Sequence, residues 1–541
     1  MQKLISRRQA YASVDRFRRA RRGSENALTC VILVAAISAV AALILWSGFR
    51  SGGGTHLAAP QPEHVLVFDC GSTGTRLNII RVTHGDLFGG DANFTAVNWQ
   101  DFNVPFPGYT PKKHGYNRIE TFPGIHQAAA KGVHEVKKSL QPLLDWAKQA
   151  LRQHPLAGGQ GKLSDIPVLL FATAGVRKLA PKDQKILMNH IIHVLSTSGF
   201  RFQPDWATII TGEDEGIFSW VSSNFKLGNF QSEKSAMNML ELGGSSLQGS
   251  YVTNPELSST DSGNRRSVTV LGRSYDLEVE SFNGYGMNDA FNSTLYYLWD
   301  QHKMKARGRD QQKVLIHPCL QEGYSEKEET LGVTFRGNFD SAACRGVVLG
   351  VFGEGNEIED HHTSAGFHEA KKEESFIALA GFFLVYSFFD IDLGSTLSEA
   401  LAKAGSVCRG NYMDMSQEDR EDRNAGLYCF RQQYIEIILR EWMKLRDEQI
   451  RIYSESEWAL GAAILLLEKG DLAAGDGHGI GGGGGGGAGS LLQRSSPTIL
   501  FILVVVCAVG AALAWRRRML FMQERKMRLP LFSRKENGKH P

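Results

Sequence analysis

Three short turns in this 541-residue chain gather the residue types that bind phosphate and move protons. In the first, the apolar run 64–68 ends at Asp69, and Gly71-Ser72-Thr73-Gly74-Thr75 turns the chain into a second apolar run, 77–82. This pattern is a β-hairpin whose tip presents backbone N–H groups and hydroxyls. Glycines let a backbone approach an anion closely, and successive N–H groups form an anion-binding concavity. Asp69, at the strand end, stands where a carboxylate holds a cation directly or through water. The second turn repeats that order: the run 237–240, then Glu241, then Leu242-Gly243-Gly244-Ser245-Ser246-Leu247-Gln248. The third, Thr211-Gly212-Glu213-Asp214-Glu215-Gly216, sets three carboxylates side by side between a strand and a helical run. A helix dipole accounts for one or two acids at an N-terminus. Three of them directly after a strand point to a metal or general-base site. A fourth turn, Ala172-Thr173-Ala174-Gly175-Val176-Arg177, places a further hydroxyl after the buried strand expected at 166–171. The repeat of strand, acid, glycine and paired hydroxyls implies two related lobes, each giving a hairpin to one cleft.

Elements on either side must hold these turns. Apolar residues recur at helical spacing over 125–151, and Pro181 suits the first turn of a helix running to Ser196. A short strand at 206–210 precedes the acidic turn and a helical run at 217–225 follows it. Further strands are expected at 268–271 and 275–279, then a turn, Ser281-Phe282-Asn283-Gly284-Tyr285-Gly286, packed near the cleft. Helical stretches are expected at 290–299, 376–389 and 427–445, and an apolar helix at 458–467. His361 and His362 lie among acids in a segment that reads as a solvated charged loop.

Composition narrows the class. A net charge of +3 gives no bulk attraction to nucleic acid. No G-x-x-x-x-G-K-[ST] occurs, which argues against a P-loop enzyme. Two uncharged apolar runs, 27–46 and 498–515, are each about long enough to span a bilayer as a helix. Their basic flanks, 1–26 and 516–541, lie outside the space between them, so the positive-inside rule puts both termini in the cytosol. The middle of the chain then faces a lumen or the cell exterior, at an endomembrane such as the Golgi or at the plasma membrane, and the paired helices would allow a homo-oligomer. Cys319, Cys344, Cys408 and Cys429 all fall in the second half of that middle region. Four cysteines allow three pairings, and nearest-neighbour pairing, Cys319 with Cys344 and Cys408 with Cys429, closes two moderate loops in an oxidising compartment. Sequons at Asn93 and Asn292 agree with that face of the membrane. Residues 471–497 include a glycine run that makes a flexible tether, with an end-to-end distance of roughly 20 Å.

Taken together, DCGSTGTR (69–76), ATAGVR (172–177), TGEDEG (211–216) with Trp220, and ELGGSSLQ (241–248) resemble, in order and spacing, four motifs of the GDA1/CD39 nucleoside triphosphate diphosphohydrolases, the apyrases. SFNGYG (281–286) and WALG (458–461) resemble weaker, later motifs, and the likeness covers roughly 63–470. The resemblance implies an α/β fold of two actin-like, ribonuclease-H-like lobes with a nucleotide in the cleft between them. Lobe I would comprise 63–209 and 451–470, and lobe II 210–450. The implied activity is stepwise removal of terminal phosphate from nucleoside tri- and diphosphates with Ca²⁺ or Mg²⁺. By the same resemblance Glu215 takes a proton from the attacking water, which Thr173, Ser246 and Gln248 orient. Gly71, Ser72, Thr73 and Gly74, with Gly243, Gly244 and Ser245, match the phosphate-binding loops. Asp69 and Glu241 match acids that hold the metal through its water shell. The family usually has Asp where this chain has Glu241, and misplacement by about 1 Å can cost on the order of 100-fold in rate. That departure motivates an alternative reading, a catalytically weak nucleotide-binding membrane protein. Cys70 replaces a small apolar residue, and Tyr386 or a neighbour in 382–389 is the aromatic candidate for stacking on a base.

Overall fold

The computed structural model describes residues 63–472, less 84–92, 97–101, 103, 108, 110–112, 115–117, 154–161, 231–234, 254–263, 307–312, 354–367, 369 and 455–457. The two apolar runs, both basic tails, the glycine-rich linker and the charged loop around His361 lie outside the described residues. Among those described, no helix is long and apolar enough to cross a membrane. All described residues fall within one compact unit, Met1–Gly475.

The first sheet is ordered Asn93–Ala96, Thr75–Thr83, His64–Cys70, Val168–Ala172, Ala207–Ile209, with Glu120–Thr121 also paired to Thr75–Thr83. The opening hairpin is antiparallel, with Asp69 directly opposite Arg76. The strands His64–Cys70, Val168–Ala172 and Ala207–Ile209 run parallel, with Cys70 beside Ala172 and Ala172 beside Ile209. Their carboxyl ends therefore emerge together, and the turns that begin at Gly71, Thr173 and Thr211 share one edge. Open α/β sheets bind ligands at that edge.

The second sheet is ordered Ile450–Ile452, Phe376–Ala380, Asn238–Leu242, Ser246–Val252, Arg273–Asn283, Arg265–Val270. Its central hairpin has the register of the first, with Glu241 opposite Gln248. Phe376–Ala380 is a parallel strand beside Asn238–Leu242, whereas the sequence reads as helix from residue 376. Phe376, Ile377, Ala378 and Leu379 are all fully buried. A strand covered on both faces is a continuous apolar run, and a short run of that kind has no period to separate it from a helix. Ala380, at φ 55°, breaks the strand, and the helix Gly381–Phe388 begins after it. Ile450–Ile452 hydrogen-bonds in this second sheet, so the chain leaves that sheet after residue 452 rather than at 451. A third, small sheet comprises Val314–His317, Val333–Gly337 and Ser325–Glu328.

Two helices, Gly212–Lys226 and Trp458–Glu468, share one apolar core with residues of both large sheets, from Val65 and Ile80 on one side to Val268 and Val279 on the other. Thr211 caps the first by accepting from the Asp214 N–H while the Asp214 carboxylate accepts from the Thr211 N–H, a reciprocal capping box. The helices touch at their backbones. A Cβ on Gly461 would lie 2.0 Å from the Phe218 carbonyl oxygen, so only glycine fits that crossing. Trp458 packs its ring 5.9 Å from Phe171 and 6.3 Å from Phe218. The first sheet is backed by the helices Val133–Gln153 and Pro181–Ser196. The second is backed by a larger core that includes both disulfides, Cys319–Cys344 and Cys408–Cys429, paired as neighbours in sequence.

Candidate active site

The two hairpin tips are built alike and face each other. The Gly71 N–H donates to the Gly74 carbonyl at 3.0 Å, and the Gly243 N–H donates to the Ser246 carbonyl at 2.9 Å. A Cβ on Gly244 would lie 2.8 Å from Ser72 Oγ and 3.4 Å from Thr73 Cγ2, so the two loops approach closely at a residue with no side chain. Between them opens a cleft of about 540 Å³. The first hairpin lines it with Asp69, Gly71, Ser72 and Thr73, and the second with Glu241, Gly243, Gly244, Ser245 and Ser246. Thr173 and Glu215 line it from the adjoining turns. Two candidates stand back from it. A Cβ on Gly74 would meet the Thr121 carbonyl and the Phe122 ring. Gln248 lies behind Ser246, donating to Ser246 Oγ at 2.7 Å and to Ser281 Oγ at 3.3 Å. The Ser281–Gly286 turn supports the same loop, with the Gly284 N–H bonded to the Ser245 carbonyl at 2.9 Å.

The three acids between the hairpins, Asp69, Glu215 and Glu241, are buried, and each has a different partner. Arg76 Nη1 donates to Asp69 at 2.9 Å and Arg76 Nη2 to Thr73 Oγ1 at 3.0 Å, so one guanidinium ties the acid to the phosphate-type loop. Arg177 Nη1 and Nη2 both lie 3.2 Å from Glu215 Oε2, and Nη1 also reaches the Ile210 carbonyl at 3.0 Å. Burial raises Glu215 above the usual carboxylate range, Arg177 opposes the rise, and Asp69 adds to it. Glu241 has no cation opposite it in the hairpin and takes a hydrogen bond from Ser219 Oγ instead. Burial, and then the charge of Glu215, push Glu241 up to about 8. Cys70 is buried and unpaired, and burial pushes its thiol up.

These groups suit a hard divalent cation. Asp69, Glu215 and Glu241 are oxygen donors lining one cleft, and their negative charges act on one another. Among the described residues no three His, Cys, Asp or Glu side chains form a closed metal cage. An open set of one or two carboxylates, completed by water and substrate phosphates, is how Mg²⁺ is commonly bound.

Several residues of the site were not legible as such. Lys178 crosses from the Thr173 turn to Ser245 Oγ at 3.0 Å and forms an ion pair with Asp289. Its adjacency to the Thr173 turn was a signal available in the sequence. Asn288 and Arg431 also line the cleft, and no local pattern marks either. Tyr386 is fully buried in the core behind the second sheet and does not line the cleft, which corrects its reading as the stacking aromatic. The aromatic rings that do line it are Phe122, Tyr428 and Trp458. Tyr428 stacks on Phe388 at 3.8 Å, and Arg423 lies 4.1 Å above the Phe122 ring.

Residues 57–474 match the profile of the GDA1/CD39 (nucleoside phosphatase) family, which is most of the chain. The chain belongs to the GDA1/CD39 family. Probable apyrase 7 of Arabidopsis thaliana is 25% identical over 480 residues, covering 81% of this chain and 60% of that protein. Probable apyrase 6 of the same plant is 27% identical over 433 residues, covering 74% and 72%. Mouse ectonucleoside triphosphate diphosphohydrolase 3 is 27% identical over 345 residues, covering 55% and 63%. The chain thus spans less than two thirds of the first and third of these relatives. In this GDA1/CD39 chain, the stretch matched to the family contains both hairpins, both bridging helices and every residue named above as lining the cleft.

Proposed function

We propose that this protein is a membrane-anchored apyrase that hydrolyses the terminal phosphate of nucleoside tri- and diphosphates. The observation that carries the reading is the pair of like-built hairpins facing across one cleft with Glu215 at its wall. In this mechanism the loops Gly71–Gly74 and Gly243–Ser245 hold the phosphates through backbone N–H groups and hydroxyls. Thr173, Ser246 and Gln248 orient the attacking water, Gln248 acting through the Ser246 hydroxyl it contacts. Glu215 accepts a water proton while the water oxygen bonds to the terminal phosphorus and the bond to the leaving phosphate oxygen breaks. Arg177 favours the ionised form of Glu215, opposing the rise that burial imposes. Asp69 and Glu241 would hold Ca²⁺ or Mg²⁺ through water, and the cation would supply charge stabilisation for a step that is mostly positioning and electrostatics. The runs 27–46 and 498–515 would anchor the protein, with the cleft on the lumenal or outer side.

Phosphate release by the purified full chain, measured across a nucleotide panel with Ca²⁺, Mg²⁺ or chelator, tests the reading. Glu215→Gln is expected to abolish release with the thermal unfolding midpoint retained. A wild-type protein that releases no phosphate from any nucleotide overturns it.

One observation favours a second reading. Ser219 holds the longer Glu241 side chain toward the bridging helix, away from a purely cleft-facing role. A nucleotide-binding protein of weak turnover would follow, and there Glu241→Asp raises turnover. A loss of turnover in Glu241→Asp removes this reading.

A further inference from the structure

Arg431 is a buried cation in the cleft for which the mechanism above has no use. It is 2% exposed and sits on the helix Tyr428–Glu436. Among the described residues it makes no ion pair. Its Nε is buried without a hydrogen-bond partner, while Nη2 donates to Asn288 Oδ1 at 3.0 Å. Its guanidinium lies 5.0 Å from the Tyr428 ring centroid. Burial lowers the affinity of this guanidinium for its proton; Tyr428 and Asp422 favour the charge, and Arg423 opposes it. Asp422 acts on this charge only from beyond ion-pair distance, and a buried charge with no carboxylate in contact is costly, so a position of this kind suits an anionic ligand.

The neighbours say which anion. Asn288, which holds Nη2, donates its own backbone N–H to the Gly244 carbonyl at 2.9 Å. Arg431 is therefore one residue removed from the second phosphate-type hairpin. On its other side Tyr428 continues the same wall as an aromatic surface. A ligand whose terminal phosphate sits between the hairpins and whose organic part lies along the aromatic wall must carry its linking phosphate past Arg431.

We propose that Arg431 binds an inner phosphate of the substrate, one that is not attacked, so that the site selects ligands with at least two linked phosphates. This rests on the phosphohydrolase reading for its function, although the binding it predicts is measurable without turnover. The guanidinium acts as a fork for two phosphate oxygens, which an ammonium matches only as a point charge.

The test uses the full chain in detergent, as wild type, Arg431→Gln and Arg431→Lys. Inorganic pyrophosphate and orthophosphate are titrated by calorimetry, and KM and kcat are measured for ADP and ATP. In Arg431→Gln, pyrophosphate affinity is expected to fall about 10- to 100-fold, the size of a lost charge-assisted hydrogen bond, with orthophosphate affinity within about twofold of wild type. KM for both nucleotides rises by a similar factor with kcat nearly constant, and Arg431→Lys recovers part of the loss. Equal losses for the two anions, or no loss for pyrophosphate, overturn the proposal. If Arg431→Gln does not fold, the same comparison of the two anions in Arg431→Lys decides, with a loss confined to pyrophosphate expected. A wild type that turns over no nucleotide but binds pyrophosphate through Arg431 overturns the enzymatic reading and leaves this one standing.

Discussion

Removing Arg177 should disable Glu215 in a way that depends on pH. In Arg177→Met the side chain keeps its apolar stem and loses its charge. Both terminal nitrogens of Arg177 lie 3.2 Å from one oxygen of Glu215, and both side chains are mostly buried. A hydrogen bond to a charged group contributes about 1.5–3 kcal/mol; these two are long and share one acceptor, so about 2–3 kcal/mol for the pair is reasonable. At 1.36 kcal/mol per tenfold, kcat/KM at neutral pH falls about 30- to 160-fold. The sign follows from the base. As the proposed base, Glu215 would accept a proton only when ionised, so activity should be lost as pH falls through its pKa. Burial and Asp69 already raise that pKa, and Arg177 is the largest influence holding it down. Without the guanidinium the acid limb of kcat/KM moves to higher pH, and part of the lost activity returns at alkaline pH. The assay is phosphate release from ADP between pH 5 and pH 9.5, with thermal unfolding as a control because Arg177 also holds the Ile210 carbonyl at 3.0 Å. A pH-independent loss would refute the argument and make Arg177 a structural clamp on the Thr211 turn. An unchanged profile would refute it as well.

Two further predictions concern stability. His317 is fully buried, accepts the Cys319 N–H at Nδ1 at 3.1 Å, and therefore directs Nε2–H to Thr294 Oγ1 at 2.9 Å, so the neutral ring is satisfied at both nitrogens. Burial lowers its pKa to about 3 from 6.5; the unfolded chain takes up that proton first, so stability falls as pH drops from 6.5 toward 3, by about 2 kcal/mol at pH 5. Denaturant midpoints at pH 7 and pH 5 should show a smaller difference in His317→Gln, and an equal difference would exclude His317 as the source. Gly461→Ala should destabilise the protein by about 3 kcal/mol, the upper end for overpacking, because the obstacle is the Phe218 backbone oxygen at 2.0 Å; a melting temperature unchanged within 1 °C would contradict the backbone contact.

The hairpins were legible because their information is local. Strand, acid, glycine and hydroxyl follow one another within a dozen residues, and the antiparallel register then fixes which residues lie opposite. What the sequence hid depends on distant chain. Gln248 is two residues beyond Ser246 and on the same face of the strand, yet it lies behind Ser246, bonded to Ser246 Oγ and to Ser281 Oγ of a neighbouring strand more than thirty residues away. Tyr386 and Tyr428 are both aromatic residues in apolar helical runs, and only packing separates the one in the core from the one in the cleft wall. Phe376–Ala380 has no period because both faces are covered. Arg431 follows Tyr428 on a helix whose partner, Asn288, is more than a hundred residues away, so nothing near it in sequence reveals a cation without a counter-ion.

The likeness of the two hairpins makes the electrical difference at their tips informative. Asp69 and Glu241 occupy the same place in the same register, but the residue opposite is Arg76 in one and Gln248 in the other. Asp69 is therefore neutralised within its own hairpin, at 2.9 Å. Glu241 has no such partner, and its additional methylene carries the carboxyl to Ser219. Ser219 lies four residues after Glu215 on the same helix, and residues at that spacing share a face. One face of Gly212–Lys226 thus carries the candidate base in its first turn and, a turn later, the donor that holds the second hairpin's acid. The same helix crosses Trp458–Glu468 at the Gly461 contact within the core that both sheets share. The helix is thus in direct contact with both acids, carrying Glu215 itself and bonding Glu241 through Ser219. An aspartate at 241 is too short to keep the Ser219 contact from the same backbone position, and would free the carboxyl from the helix that carries Glu215 while the hairpin stays packed on it through Gly216.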